Sequence, residues 1–265
     1  MGELLLDARG LSKTFAGGRG PGRREVRAVQ DVSIAIEAGQ THGLVGESGS
    51  GKSTTGRILL RLVEPDAGSA TFRGQDLFAL EGAELRAMRR HMQLIYQDPF
   101  SSVDPRFRAR DIVAEPWVIH GLYDRDERRR RADELLERVG IDPALSERRP
   151  SSFSGGQLQR IGIARALALE PDLIICDEPV SALDASVQGQ ILNLLMDLQA
   201  ERGLSYLLIA HDLAVVRHLA QRVSVMRAGR VVESGTREEI FEHPQHEYTR
   251  ALLAAMREEP ATSSG

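Results

Sequence analysis

Cysteine is almost absent from these 265 residues: Cys176 stands alone. A single thiol forms no intrachain disulfide and anchors no cysteine metal cluster. It ends the apolar run Leu173-Ile174-Ile175-Cys176, so it reads as a buried strand residue of a protein kept in a reducing compartment. Long apolar runs are absent too. None approaches the ~20 residues that a membrane-spanning helix needs, so a role at a membrane has to pass through another subunit. The first residues, Met1-Gly2-Glu3-Leu4-Leu5-Leu6-Asp7, have no basic region and no cleavage site, and no secretory leader is expected. Basic excess is missing as well. The net charge is −4, which argues against a surface built to coat nucleic acid. No segment repeats, which points to one unit and not a tandem pair.

What is present is ordinary for a globular domain: 42% hydrophobic and 27% charged residues, in a chain long enough for one domain with a subdomain. Residues 4–15 read as a short strand and turn. The Gly/Arg-rich stretch 16–24, with Pro21, reads as a mobile hairpin loop. Residues 26–37 alternate, with Val32, Ile34 and Ile36 against Ser33 and Ala35, the period of a half-buried strand. Further short strands are expected at 40–45, 69–72 and 93–96, and a charged helix at 82–90. After Asp98 the composition turns helical, with helices over 111–121, 124–139 and 155–168. The middle one carries Arg128-Arg129-Arg130-Arg131. That run suits anionic lipid or nucleic acid, but acids flank it and Leu135, Leu136 and Val139 supply an apolar side, so a solvated helix face is favoured. Residues 173–176 and 206–210 are continuous apolar runs, as in strands covered on both faces of a parallel sheet. The amphipathic helix 186–202 between them implies a right-handed crossover. A hairpin turning at Ala228-Gly229, helices at 237–242 and 248–256, and a disordered tail over 257–265 complete the chain.

The most specific motif is Gly46-Glu47-Ser48-Gly49-Ser50-Gly51-Lys52-Ser53, which fits G-x-x-x-x-G-K-[ST]. It follows the apolar Gly43-Leu44-Val45 and precedes a helical pattern from Thr54, the context a phosphate-binding loop needs. Its glycines let backbone N–H groups curl around phosphates, and the following helix offers its positive dipole end. Lys52 can reach the β- and γ-phosphates, and the Ser53 hydroxyl can ligate Mg²⁺. A nucleoside triphosphate site follows. Downstream, an apolar strand ends in Asp177-Glu178. A strand end beside such a loop is where Asp177 can hold Mg²⁺ through water and Glu178 can polarise an attacking water. Acidic turn residues before Pro179 are the plain alternative. Ser154-Gly155-Gly156-Gln157 opens a helix with an N-cap and a row of backbone N–H groups, a second anion site, or by itself only a cap.

Together these residues resemble the ATP-binding-cassette (ABC) transporter ATPases, over about residues 4–256. Phe153-Ser154-Gly155-Gly156-Gln157 is similar to the family signature, with Phe where Leu is commoner. Gln97 stands at the Q-loop, Ser181-Ala182-Leu183-Asp184 at the D-loop, His211 at the switch histidine and Phe15 at the adenine-stacking aromatic, although core packing is a serious rival for Phe15. Within the family, 96–106 and the tail His243-Pro244-Gln245-His246-Glu247-Tyr248-Thr249-Arg250-Ala251-Leu252-Leu253 resemble the oligopeptide/dipeptide importer ATPases. Glu247 replaces a usual Pro, and His42 and Arg227 stand where apolar or aromatic residues are common. These departures are expected to touch peripheral packing only. With Cys176 alone, the iron–sulfur cluster of some relatives is excluded.

The resemblance implies an α/β fold: a P-loop NTPase core with a mixed sheet, an N-terminal antiparallel β-subdomain and an inserted α-helical subdomain over 98–170, all one domain. It implies ATP and Mg²⁺ as ligands. ATP would lie between Gly46–Ser53 and Thr54 of one chain and Ser154, Gly155, Gly156 and Gln157 of another. Ser53, Gln97 and Asp177 would serve the metal, Glu178 would be the base, His211 would hold the γ-phosphate, and Asp184 would couple two sites. The implied partners are a second ATPase subunit, two transmembrane permease subunits and, through them, a substrate-binding protein, at the cytoplasmic face of the cell membrane and without nucleic acid. Rival readings are an importer of another small solute such as nickel or glutathione, an exporter, a soluble cassette acting on DNA or ribosomes, and a catalytically dead cassette.

Overall fold

The computed structural model describes residues 3–16 and 25–258. Most of the expected hairpin loop over 16–24 and nearly all of the expected tail over 257–265 lie outside the described residues. The chain divides into two compact units, Met1–Glu81 with Tyr206–Gly265, and Gly82–Ser205.

The first unit opens with β1 (Leu4–Ala16), β2 (Glu25–Glu37), β3 (Thr41–Val45), α1 (Lys52–Leu59), β4 (Ala67–Phe72) and β5 (Gln75–Asp76). The second holds α2 (Gly82–Arg89), β6 (Met92–Ile95), α3 (Ala109–Ile119), α4 (Arg125–Arg138), α5 (Gly155–Leu167), β7 (Leu173–Asp177) and α6 (Ala185–Arg202). The chain then returns through β8 (Ser205–Ala210), α7 (Leu213–Leu219), β9 (Arg222–Arg227), β10 (Arg230–Thr236), α8 (Arg237–Glu242) and α9 (Glu247–Glu258).

In the first unit the order β2-β1-β4-β5 makes an antiparallel sheet. The expected alternation sets its buried face. Leu6, Ala8 and Leu11 of β1 stand opposite Ile36, Ile34 and Val32 of β2, and all six are buried. A second group of strands is mixed. β3 lies between β8 and β9, parallel to both, and β10 returns antiparallel on β9 through Ala228-Gly229. Every residue of β3 and β8 is buried, which is why those runs show no alternation. β3 delivers the chain straight into the glycine-rich loop at 46–51.

In the second unit β6 and β7 pair in parallel from Met92↔Leu173 to Ile95↔Cys176. The segment 98–170 lies within this unit. Its helices α3, α4 and α5 bury Ile112 and Trp117, Ala132 and Leu136, and Leu158 and Ile161. Asp124 caps α4 by accepting the Glu127 N–H at 2.9 Å. The Trp117 indole donates to the Ala168 carbonyl at 2.6 Å. Cys176 is fully buried, and burial raises its thiol pKa.

The sequence reading missed α7 and the 3₁₀ turns Pro143–Leu145 and Pro150–Ser152. The two turns, three residues each, are too short for a 3.6-residue period to stand out. Among the described residues, no helix is long and apolar enough to cross a membrane.

Candidate nucleotide site

The loop between β3 and α1 is shaped by contacts only glycine tolerates. Gly46 sits at φ 148° and Gly51 at φ 105°. A Cβ on Gly46 would lie 2.0 Å from the Met226 carbonyl oxygen, and one on Gly51 2.1 Å from that of Ala28. Gly51 is also the N-cap of α1, and no side chain caps it. The Thr55 hydroxyl and N–H both bind the Gly51 carbonyl. Lys52 is buried, 4% exposed, and its ammonium donates to the carbonyls of Gly46 at 2.7 Å and Glu47 at 2.9 Å. The cation is thereby held over the loop. Of the 34 basic residues only Lys13 and Lys52 are lysine, so a compact point charge stands where arginine is otherwise the rule. Gly46, Glu47, Ser48, Gly49, Ser50, Gly51, Lys52, Ser53 and Thr54 thus form one turn and one helix start.

His211 and Phe15 belong to the same unit. His211 follows the last residue of β8 and is exposed. Asp212, next in line, caps α7 by accepting the Ala214 N–H at 2.7 Å. Phe15 is 40% exposed on β1, with the Lys13 ammonium 5.7 Å from its ring centroid. An aromatic that exposed is not a core residue, which removes the packing alternative.

In the second unit Asp177 ends β7, buried at 8% exposure. Glu178 follows with φ 49°, in the left-handed region. A non-glycine residue there costs of order 1 kcal/mol or more, and such strain gathers at functional sites. The Gln97 amide donates to the Glu178 carboxylate at 2.9 Å, and the Ser181 hydroxyl donates to the Glu178 carbonyl at 3.1 Å. Side chain and backbone of Glu178 are both fixed. Asp184 is the exposed N-cap of α6, and its carbonyl accepts from Val187 and Gln188.

At the start of α5 a capping box closes. The Gln157 N–H donates to the Ser154 hydroxyl at 3.3 Å, and the Ser154 N–H donates to the Gln157 side chain at 2.9 Å. The expected open row of N–H groups is therefore shortened to Gly155 and Gly156. Gly156 has a packing reason of its own, since a Cβ there would lie 2.4 Å from Val187 Cγ1 on α6.

The family model described as ABC transporter matches residues 29–181. The chain belongs to the ABC transporter family. A glutathione import ATP-binding protein of Salmonella paratyphi A is 53% identical over 258 residues, 96% of this chain and 41% of that protein. A probable peptide ABC transporter ATP-binding protein of Sinorhizobium fredii is 51% identical, covering 96% of this chain and 73% of its own length. An oligopeptide transport ATP-binding protein of Bacillus subtilis is 48% identical, with 96% and 78% covered. The chain thus spans about two fifths of the glutathione relative's length. Among solved structures, a dimeric ATP-binding cassette in a post-hydrolysis state with ADP and phosphate superposes with a TM-score of 0.78 at 30% identity, over 88% of this chain and 98% of that one. The P-loop NTPase fold class read from the sequence is the fold observed.

Two residues of this ABC chain carry more than the sequence suggested. His42 is not peripheral. It is 3% exposed on β3, with Nδ1 3.1 Å from the Ala35 carbonyl and Nε2 2.9 Å from the Ser224 hydroxyl, which in turn lies 2.9 Å from Ser234. Burial lowers its pKa to about 4. Arg227 stacks 4.7 Å over the Tyr248 ring, and the Tyr248 hydroxyl accepts the Glu47 N–H at 3.4 Å. Tyr248 of α9 therefore touches the phosphate loop, a contact that no motif announces. The only hint was an aromatic in the family-like tail.

Proposed function

We propose that this chain hydrolyses ATP and couples the cycle to import of small peptides by membrane permease subunits. The observation that carries hydrolysis is the Gln97–Glu178 hydrogen bond at 2.9 Å on a carboxylate set at left-handed φ just after Asp177. A carboxylate so fixed can orient a water, and positioning is most of the catalysis in phosphoryl transfer. The hydroxyl of Ser53, the amide oxygen of Gln97 and the carboxylate of Asp177 are hard oxygen donors, the set that suits Mg²⁺. Bound there, Mg²⁺ would neutralise charge on the β- and γ-phosphates. Lys52 holds the same phosphates, His211 contacts the γ-phosphate, and Phe15 stacks on adenine.

Residues 1–256 are read as one cassette, with 98–170 as its helical insert. Gly155 and Gly156 of one copy face the ATP held by Lys52 of a second cassette, and Asp184 links the two sites. Peptide import is supported by relatives at 48–53% identity named for oligopeptide, peptide and glutathione import, glutathione being itself a tripeptide. Two permease subunits, fed by a substrate-binding protein, would place the chain at the inner membrane face. Phe100, 55% exposed, is a candidate contact with them.

Glu178→Gln tests the reading. ATP affinity should persist, while turnover falls by roughly 10²–10⁴-fold, the scale of a lost general base, and an ATP-bound dimer should accumulate on size exclusion. Turnover near the wild-type rate would remove Glu178 from the reaction.

A further inference from the structure

The run of four arginines on α4 divides in the structure. Arg130 pairs with Glu127 at 2.6 Å. Arg131 pairs with the same carboxylate at 2.7 Å and lies 4.1 Å over the Tyr123 ring. For these two the solvated-face reading holds. Arg128 and Arg129 instead line a cavity of about 340 Å³ together with Arg108, Arg110 and Arg125. That volume falls at the low end of small-molecule sites, roughly 300–1,000 Å³.

One internal anion already marks what the cavity prefers. The Glu147 carboxylate accepts from Arg108 and Arg110, one on each oxygen, and Arg129 lies 3.4 Å from it. The hydrogen bond from Arg108 leads in holding Glu147 below its ordinary pKa. Asp133 takes the other edge of Arg110 in a two-pronged contact at 2.9 Å each. Asp111 is the remaining lining acid, turned to the Arg108 N–H at 3.4 Å as a helix cap. Five guanidiniums thus stand against three carboxylates, Asp111, Asp133 and Glu147, and two positive charges are left over. Among the described residues Arg125 makes no hydrogen bond or ion pair, and Arg128 spends one N–H on the Leu122 carbonyl at 2.8 Å. Arginine is the common base throughout this chain, so the distinguishing observation is that five share one concavity.

We propose that this cavity binds a phosphomonoester, whose dianion matches the excess charge and whose oxygens match guanidinium forks. A soluble sugar or glycerol phosphate and the headgroup of phosphatidic acid offer the same chemistry. The site is separate from the phosphate loop, and its ligand is not consumed.

To test it, the protein is saturated with Mg-ADP to fill the phosphate loop. It is then titrated with glycerol 1-phosphate in a calorimeter, and separately sedimented with phosphatidylcholine vesicles with and without phosphatidic acid. Saturable binding in one arm is expected, and that arm identifies the source. Arg125→Ser with Arg129→Ser should weaken binding about tenfold or more, the scale of a lost charge-assisted contact. Glu147→Gln should strengthen it by removing the internal competitor, and Arg130→Ser should leave it unchanged. Unaltered ADP affinity in each variant reports an intact fold, and Arg125→Ser alone removes a side chain without structural partners. Absence of saturable binding in both arms, or full binding by the double variant, overturns the proposal.

Discussion

Two helix N-termini supply backbone donors to the proposed site, and they are finished in opposite ways. α1 starts at Gly51, in a left-handed conformation, with no side chain capping it and a buried lysine as its first residue. α5 starts at Ser154, where Ser154 and Gln157 satisfy each other's N–H groups. The first start is built for an anion from elsewhere. The second is largely completed by its own sequence, which leaves only the N–H groups of Gly155 and Gly156 outside the box. The difference predicts an order of dependence. Nucleotide affinity of a single chain rests on α1, and the start of α5 is preformed whether or not nucleotide is present.

The sharpest break of that comparison is Lys52→Ala. It removes the ammonium proposed to make charge-assisted contacts with two phosphates, so Mg-ATP affinity should fall about 10²-fold or more. Calorimetry on wild type and variant reads it directly. Unchanged affinity would mean that the loop glycines alone hold the nucleotide, and the contrast between the two starts would collapse.

The phosphate loop was legible because its chemistry forces its spelling: close backbone approaches at Gly46 and Gly51 admit no side chain. Asp177 and Glu178 were legible as the end of an apolar strand. The left-handed φ of Glu178 was not, since nothing in Glu178-Pro179 spells it. Nor was the role of His42. It occupies a strand position that reads as an apolar slot, and only the fold brings Ser224 and Ala35 to its two nitrogens. Tyr248 shows the same limit, with 201 residues separating it from the loop it touches. At α5 the N-cap was legible in Ser154, while the reciprocal half of the box, the Gln157 side chain on the Ser154 N–H, was not read from Ser154-x-x-Gln157.

His42 differs from every other histidine of the chain in its depth, and acid should report on it. His42, in the first unit, is buried beside Ala35 and Ser224. Its pKa is lowered to about 4, by burial first and also by the charge of Arg222. The others are all partly or fully exposed, His211, His218, His243 and His246 in the same unit and His91 and His120 in the second. A folded state that excludes the proton has its full stability above the unfolded pKa near 6.5 and loses it as pH falls toward 4. For His42 the loss reaches about 3 kcal/mol at the bottom of that window. Urea midpoints measured between pH 7 and 4 should fall, and His42→Gln should flatten the slope. A variant with the wild-type slope would assign the acid loss elsewhere.

The smallest effect is expected at Ser154, and it separates cap from ligand. Ser154→Ala deletes the acceptor for the Gln157 N–H and half of the capping box. The cost should be about 0.5–2 kcal/mol of unfolding free energy, the usual range for a lost N-cap. Thr keeps the hydroxyl, so Ser154→Thr should recover most of it. Because the box is internal to α5, ATP affinity of the isolated chain should stay within about twofold of wild type, well under the 1.4 kcal/mol that a tenfold change represents. Denaturant melts and calorimetry on the same two variants give both numbers. If Ser154→Ala weakens nucleotide binding by a single chain as Lys52→Ala does, then α5 meets the nucleotide within one copy, and the shared-site arrangement of two cassettes gives way to a site completed in cis.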